Sequence, residues 1–236
     1  SAGSERMTLD GAVNKTAIML AVLISTATIT WNFSGLLIDF IELVGIFAAV
    51  VSSFITFGLW IPFIGFIVNP RPYLAPKTWL IFAAGEGFFI GSFSLTFETM
   101  FPGIVLEAVS LTFCVAATLL FLYKSGLVKP TQNFVLMLCS AIFGIMLFYI
   151  GVFIYTLVTG TSPEIISGSS NLSIGLSLFV VGIAALSLVL DFDIIEQSAE
   201  RGAPKYMEYF GAMALVTTLI WLYVEILRLL AKLRSR

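Results

Sequence analysis

The chain has 236 residues, of which 59% are hydrophobic and 11% charged, and its net charge is -2. It contains no histidine, which excludes Ser-His-Asp and Cys-His catalysis, His-ligated zinc or haem, and any switch built on imidazole. No basic run accompanies the near-neutral charge, so nucleic acid is not an expected partner.

Seven apolar runs follow one another at 13–33, 40–68, 78–97, 103–123, 133–158, 172–190 and 209–230. Each is about twenty residues or longer, enough at about 1.5 Å per residue to cross a hydrocarbon core of about 30 Å. The expected fold is therefore all-α: a polytopic membrane protein in which 13–233 form one seven-helix transmembrane domain after a cytoplasmic segment, 1–12. Thr8-Leu9-Asp10-Gly11 reads as a turn and helix cap. The run that follows is too long and starts too late for a cleavable signal peptide. In the second run Pro62 predicts a kink, and Asn69-Pro70-Arg71-Pro72 ends the helix because proline cannot continue the backbone ladder. The third carries Gly85-Glu86-Gly87 and a second glycine, Gly91, four residues beyond Gly87; the fifth carries Gly144 and Gly151. Such glycines predict close helix–helix packing. Pro102-Gly103 opens the fourth run. Cys114 and Cys139 fall within the fourth and fifth runs, without a CxxC motif, and are expected as buried apolar filler and not as a redox pair. The Gly- and Ser-rich stretch 160–170 predicts a flexible loop.

Charge in the gaps sets an expected orientation. Arg6 and Lys15 flank the start of the first run, Arg71 and Lys77 follow the second, Lys124 and Lys129 the fourth, and Arg201 and Lys205 the sixth. The loops 34–39, 98–102 and 160–171 contain no Lys or Arg. Basic residues mark the cytoplasmic side, which places the N-terminus there. The basic C-terminus, with Arg228, Lys232, Arg234 and Arg236, then falls outside against the rule, and the length of 209–230 favours a full crossing over a re-entrant dip.

Acids inside the runs carry the functional signal, since each costs on the order of 2.5–3.5 kcal/mol at mid-membrane. Glu86 is the deepest, and the glycines beside it leave room for another helix, a water or an ion. Asp191 and Asp193 end the sixth run and, about 200° apart around a helix, point to nearly opposite faces. Asp193 shares a face with Glu196, Gln197 and Glu200, whereas Asp191 aligns with Ala184, Ser187, Leu188 and Ile195, an apolar face on which burial makes a carboxylate sensitive to protons near neutral pH. Glu225 and Arg228, three apart, can pair within one helix, and Arg228 can instead reach Glu42. Such groups suit either a gated cation path or a set of structural ion pairs.

Leu190-Asp191-Phe192-Asp193-Ile194-Ile195-Glu196, the Gly202–Tyr206 region, Glu225-Ile226-Leu227-Arg228-Leu229-Leu230 and Ile104-Val105-Leu106-Glu107-Ala108 resemble stretches of the transmembrane Bax inhibitor motif family, in the same order and within the same seven-span frame. The resemblance covers the chain from Met7 onward. It implies a fold in which six helices surround the seventh, and a pH-sensitive calcium leak governed by paired aspartates on the sixth and seventh spans. Asp191 matches the first aspartate, and Glu42 with Arg228 matches an outer Glu–Arg pair. The second aspartate falls at about Thr218, beside Thr217, and neither is acidic, which draws the chain toward bacterial inner-membrane members resembling modulators of a membrane protease. The functional expectation is a proton-regulated cation leak, with Asp191 and Asp193 at the gate, Glu86 and Glu225 along the path, Glu42 and Arg228 as the outer pair, and Asp191 and Glu86 as weak Ca2+ ligands. The rival is a non-conducting partner of a quality-control protease or another membrane complex. Neither needs a cofactor beyond Ca2+ as the transported ion, and catalysis is not expected, since the Gly-x-Gly-Asp context of an intramembrane aspartyl protease is absent.

Overall fold

The computed structural model describes residues 6–32, 75–161 and 163–236. They form seven α-helices: α1 Leu9–Asn32, α2 Ala75–Met100, α3 Ile104–Lys124, α4 Gln132–Thr159, α5 Glu164–Ser167, α6 Asn171–Glu200 and α7 Tyr206–Arg234. All but α5 are long and apolar enough to cross a membrane, and their ends fall within a few residues of the expected runs, except that α6 continues ten residues past 190. The run 40–68, with Glu42 and Pro62, lies outside the described residues, as does the Asn69–Pro72 stop. The short α5 stands within the stretch expected as a loop.

Helix ends follow local chemistry. The Thr8 hydroxyl accepts from the Gly11 amide at 3.0 Å, the cap expected at the start of α1. Glu98, in the last turn of α2, takes the Gly103 amide at 2.6 Å and the Val105 amide at 3.1 Å. A carboxylate thus sits on the positive end of α3. Gly103, at φ 83°, makes this tight turn because a left-handed backbone costs glycine nothing. Thr131 caps α4 through the Phe134 amide.

Packing divides the chain into two compact units. One gathers 6–32, 75–96 and 191–217; the other gathers 97–161, 163–190 and 218–236. In the first, α1 and α2 meet at the expected glycines. A Cβ on Gly87 would collide with Thr26 and the Leu23 carbonyl, and one on Gly91 would lie 2.7 Å from the Ala27 carbonyl oxygen. Gly144 and Gly151 of α4 show no such packing among the described residues, where no atom outside the helix's own nearby backbone lies within 4 Å of an added Cβ at either. Cys114 and Cys139 are free, as expected, but exposed rather than buried. In an apolar helix the outward face meets lipid, so a small apolar side chain is as well placed there as inside.

The last helix belongs to both units and is the most enclosed. Of its most apolar window 67% is buried, against 17–39% in the other five spans. From Ile220 to Leu227 every residue is buried, as expected of a helix surrounded on all sides. Its 29 residues form one continuous helix, about 43 Å long at 1.5 Å per residue, long enough for a full crossing and without a turn back within it.

Candidate functional site

The second unit holds a polar cluster inside this apolar helix. Glu225 is 1% exposed. Arg228 Nη1 donates to Glu225 Oε1 at 3.2 Å, the in-helix pair that the three-residue spacing allows. The Tyr149 hydroxyl, from α4, donates to the same oxygen at 3.3 Å. One turn beyond Arg228, Lys232 reaches α6, where its ammonium donates to Ser177 Oγ at 2.8 Å and approaches the Ser173 carbonyl oxygen at 3.5 Å. Arg234 ends the stripe by donating to the Pro102 carbonyl at 2.9 Å and to Glu107 Oε1 at 2.6 Å. Spacings of three and four residues keep Glu225, Arg228 and Lys232 on one face of α7. The result is a buried carboxylate held by a guanidinium and a phenol, with a second cation one turn away. Such a set restrains helices and responds to charge; it offers no activated nucleophile.

The other expected site residues fall in the first unit. Glu86 lies in α2 with Oε2 enclosed and without a hydrogen-bond partner among the described residues. On one side of it Gly85 faces open space, and on the other Gly87 presses on α1. Asp191 is half-buried with Oδ2 enclosed. The face it was assigned to is apolar and buried, since Ala184, Ser187, Leu188 and Ile195 are all covered. Asp193 is also half-buried, and accepts from Gln197 Nε2 at 2.6 Å. Glu42 lies outside the described residues, so the partner of Arg228 described here is Glu225. Thr217 and Thr218 are buried, and Thr217 donates its hydroxyl to the Met213 carbonyl within its own helix. Among the described residues no group of three or more Cys, Asp or Glu is placed to hold a metal ion.

A second buried acid, Glu208, stands at the start of α7 and is also 1% exposed. Its Oε1 accepts from the Thr8 amide at 2.9 Å and the Thr8 hydroxyl at 3.1 Å, and its Oε2 lies 2.8 Å from the Lys15 ammonium. Lys15 also sits 4.7 Å above the Tyr209 ring, whose other neighbour is Trp79, edge-on at 5.1 Å.

A family model described as Bax inhibitor 1 like matches residues 1–235. The chain belongs to the Bax inhibitor 1-like family. No curated protein sequence and no solved structure matches it. Family membership agrees with the enclosed last helix and with the order of the sequence stretches that carried the resemblance. It leaves the acids of this member to be read from their own surroundings. Reading by spacing missed Glu208, Tyr149 and Lys232. Glu208 stands at a helix start, where an acid is common, and the phenol of Tyr149 acquires meaning only when α4 is packed beside α7. A tyrosine inside a run as apolar as α4 was the available signal, because a buried phenol seeks an acceptor.

Proposed function

We propose that the chain is a proton-regulated cation leak pathway of a bacterial inner membrane, with calcium as the transported ion and the N-terminus cytoplasmic. The observation that carries this reading is Glu225, a carboxylate 1% exposed in the most enclosed helix of a membrane protein, held by Arg228 and Tyr149. A buried ion pair adds little net stability over an apolar packing of the same volume, whereas intramembrane charges commonly serve ion pathways. In this reading Glu225 and Arg228, with Glu42, hold the outer end of the bundle shut. Asp191 and Asp193 form the proton-responsive end, and Glu86, with an oxygen enclosed and unpartnered among the described residues, offers a cation a ligand along the route. The ion passes and does not reside, so a permanent cage of ligands is not required.

The test is calcium-dye flux in proteoliposomes. Glu225→Gln and Arg228→Leu should each raise the leak severalfold over wild type. A leak equal to wild type in both would remove the pair from the gate.

One observation favours the rival reading. Thr217 and Thr218 are buried where the resemblance places the second aspartate, and a pair of hydroxyls cannot share a proton with Asp191 as a carboxylate would. A non-conducting partner of a membrane quality-control protease needs no such pair. Absence of flux from wild type at every pH, together with crosslinking to a protease in native membranes, would establish that reading instead.

A further inference from the structure

The contacts around Glu208 form a strap. Residues preceding α1 run antiparallel to the turn between α6 and α7, with Arg6 bridged to Pro204 and the Met7 amide donating to the Ala203 carbonyl at 2.7 Å. The Met7 side chain is 4% exposed and packs with Ala12 and Ile195. Gly202, at φ 66°, ends the α6 turn in the left-handed region, and a Cβ there would lie 3.3 Å from Arg6 Cδ. Gly11 allows the Glu208 carboxylate to lie directly against α1, since a Cβ at that position would collide with it. The strap meets the turn that follows α6 through Arg6 and Met7, and meets α6 itself where Met7 packs on Ile195, one turn beyond Asp191.

We infer that residues 6–8 are a latch: docked on the 201–204 turn and on Glu208, they hold the acidic end of α6 still, and undocking frees it. The latch is local and has two states because its contacts are few and mutually dependent. The Thr8 amide and hydroxyl share one carboxylate oxygen, and the same carboxylate neutralises Lys15. Loss of that carboxylate therefore removes three contacts together, leaving the backbone pairing, whose hydrogen bond among the described residues is that of the Met7 amide to the Ala203 carbonyl. Ile195 couples the latch to the acids. It lies four residues beyond Asp191 on the same helix face, packs against Met7, and closely adjoins Gly211 of α7. The role of the latch as a regulator of leak rests on the function proposed above; its existence as a restraint on α6 does not.

Hydrogen exchange on the full chain in nanodiscs tests the restraint. Glu208→Ala should speed exchange of the Met7 and Thr8 amides by about tenfold or more, the scale set by losing hydrogen bonds to a charged group, and should also speed exchange across 191–204. Gly11→Ala, which keeps every charge and displaces the Glu208 carboxylate, should have a smaller effect in the same direction. Arg6 and Pro204 form a non-hydrogen-bonded antiparallel pair, whose Cα atoms lie about 4.5 Å apart, within the reach of a disulfide. The double substitution Arg6→Cys and Pro204→Cys, made with Cys114 and Cys139 replaced by serine, should slow exchange at 191–204 when oxidised and release it when reduced. Unchanged exchange at 191–204 in all these variants would overturn the latch. Flux gives the second arm: the oxidised pair should conduct several times less than the reduced one. Equal conduction in a wild type that does leak would overturn the regulatory role. A wild type that never leaks would remove the channel reading and leave the exchange result to decide the restraint alone.

Discussion

Glu225 and the two side chains that hold it show what one buried acid demands of its neighbours. Arg228→Leu leaves the carboxylate enclosed with, among the described residues, the Tyr149 hydroxyl to satisfy it, and removing one partner of a buried pair costs about 3–5 kcal/mol. Thermal unfolding in detergent should show a large fall for Arg228→Leu and recovery of most of it in the double variant Glu225→Gln, Arg228→Leu. Tyr149→Phe removes one hydrogen bond to a charged group, about 1.5–3 kcal/mol, and should sit between wild type and Arg228→Leu. Asp191→Asn and Glu86→Gln address function separately. The first should flatten the pH dependence of calcium flux between about pH 6 and 8, because it removes a titrating carboxylate from α6 in a chain without histidine. The second should change ion affinity or permeation with the pH profile kept. Flux measured across that range for both variants decides, and unchanged pH profiles in both would exclude a carboxylate switch. The Glu225–Arg228 pair was legible because helical spacing is a property of sequence. Tyr149 was not, because 76 residues separate it from Glu225 and only packing brings them together.

At the scale of the element, small residues decide how helices meet. Gly91 lets α1 approach until the Ala27 backbone touches it, so Gly91→Leu should drive the helices apart, at about 1–3 kcal/mol for overpacking. Gly144→Leu, which faces open space, should cost far less. Comparing the two by detergent unfolding separates a packing glycine from an exposed one. Sequence spacing named all four glycines alike, since it records where small residues recur and not which face a neighbour occupies. The same blindness explains Cys114 and Cys139: apolar character was readable, but in a bilayer both the inner and the outer surface of a bundle are apolar. Helix existence was the easiest feature to read, because a span must satisfy its own backbone hydrogen bonds and be long enough to cross. Helix ends shifted by a few residues because they depend on caps such as Glu98, which reaches across a turn to the next helix.

For the whole molecule, basic residues in alternate gaps predict the orientation proposed above. With Cys114 and Cys139 replaced by serine, a cysteine at Ser169 should label from outside in intact cells and one at Ser125 should not; the reverse pattern would invert the protein. The enclosed last helix has a further consequence, for how the protein is made. Within α7 stand Glu208, Glu225, Arg228 and Lys232, and each charged residue at a helix centre costs about 2.5–3.5 kcal/mol to move into lipid. Their partners Lys15, Thr8, Tyr149 and Ser177 all precede α7 in the chain. Made after the helices that hold its partners, α7 therefore meets lipid as a poor solvent and those earlier helices as a good one. Its entry should wait until they are in place. In a glycosylation-mapped insertion assay, residues 206–234 fused alone to a reporter should insert inefficiently. Replacing Glu225 and Arg228 together by leucine should rescue the isolated segment, and supplying residues 1–205 ahead of the natural sequence should rescue it as well.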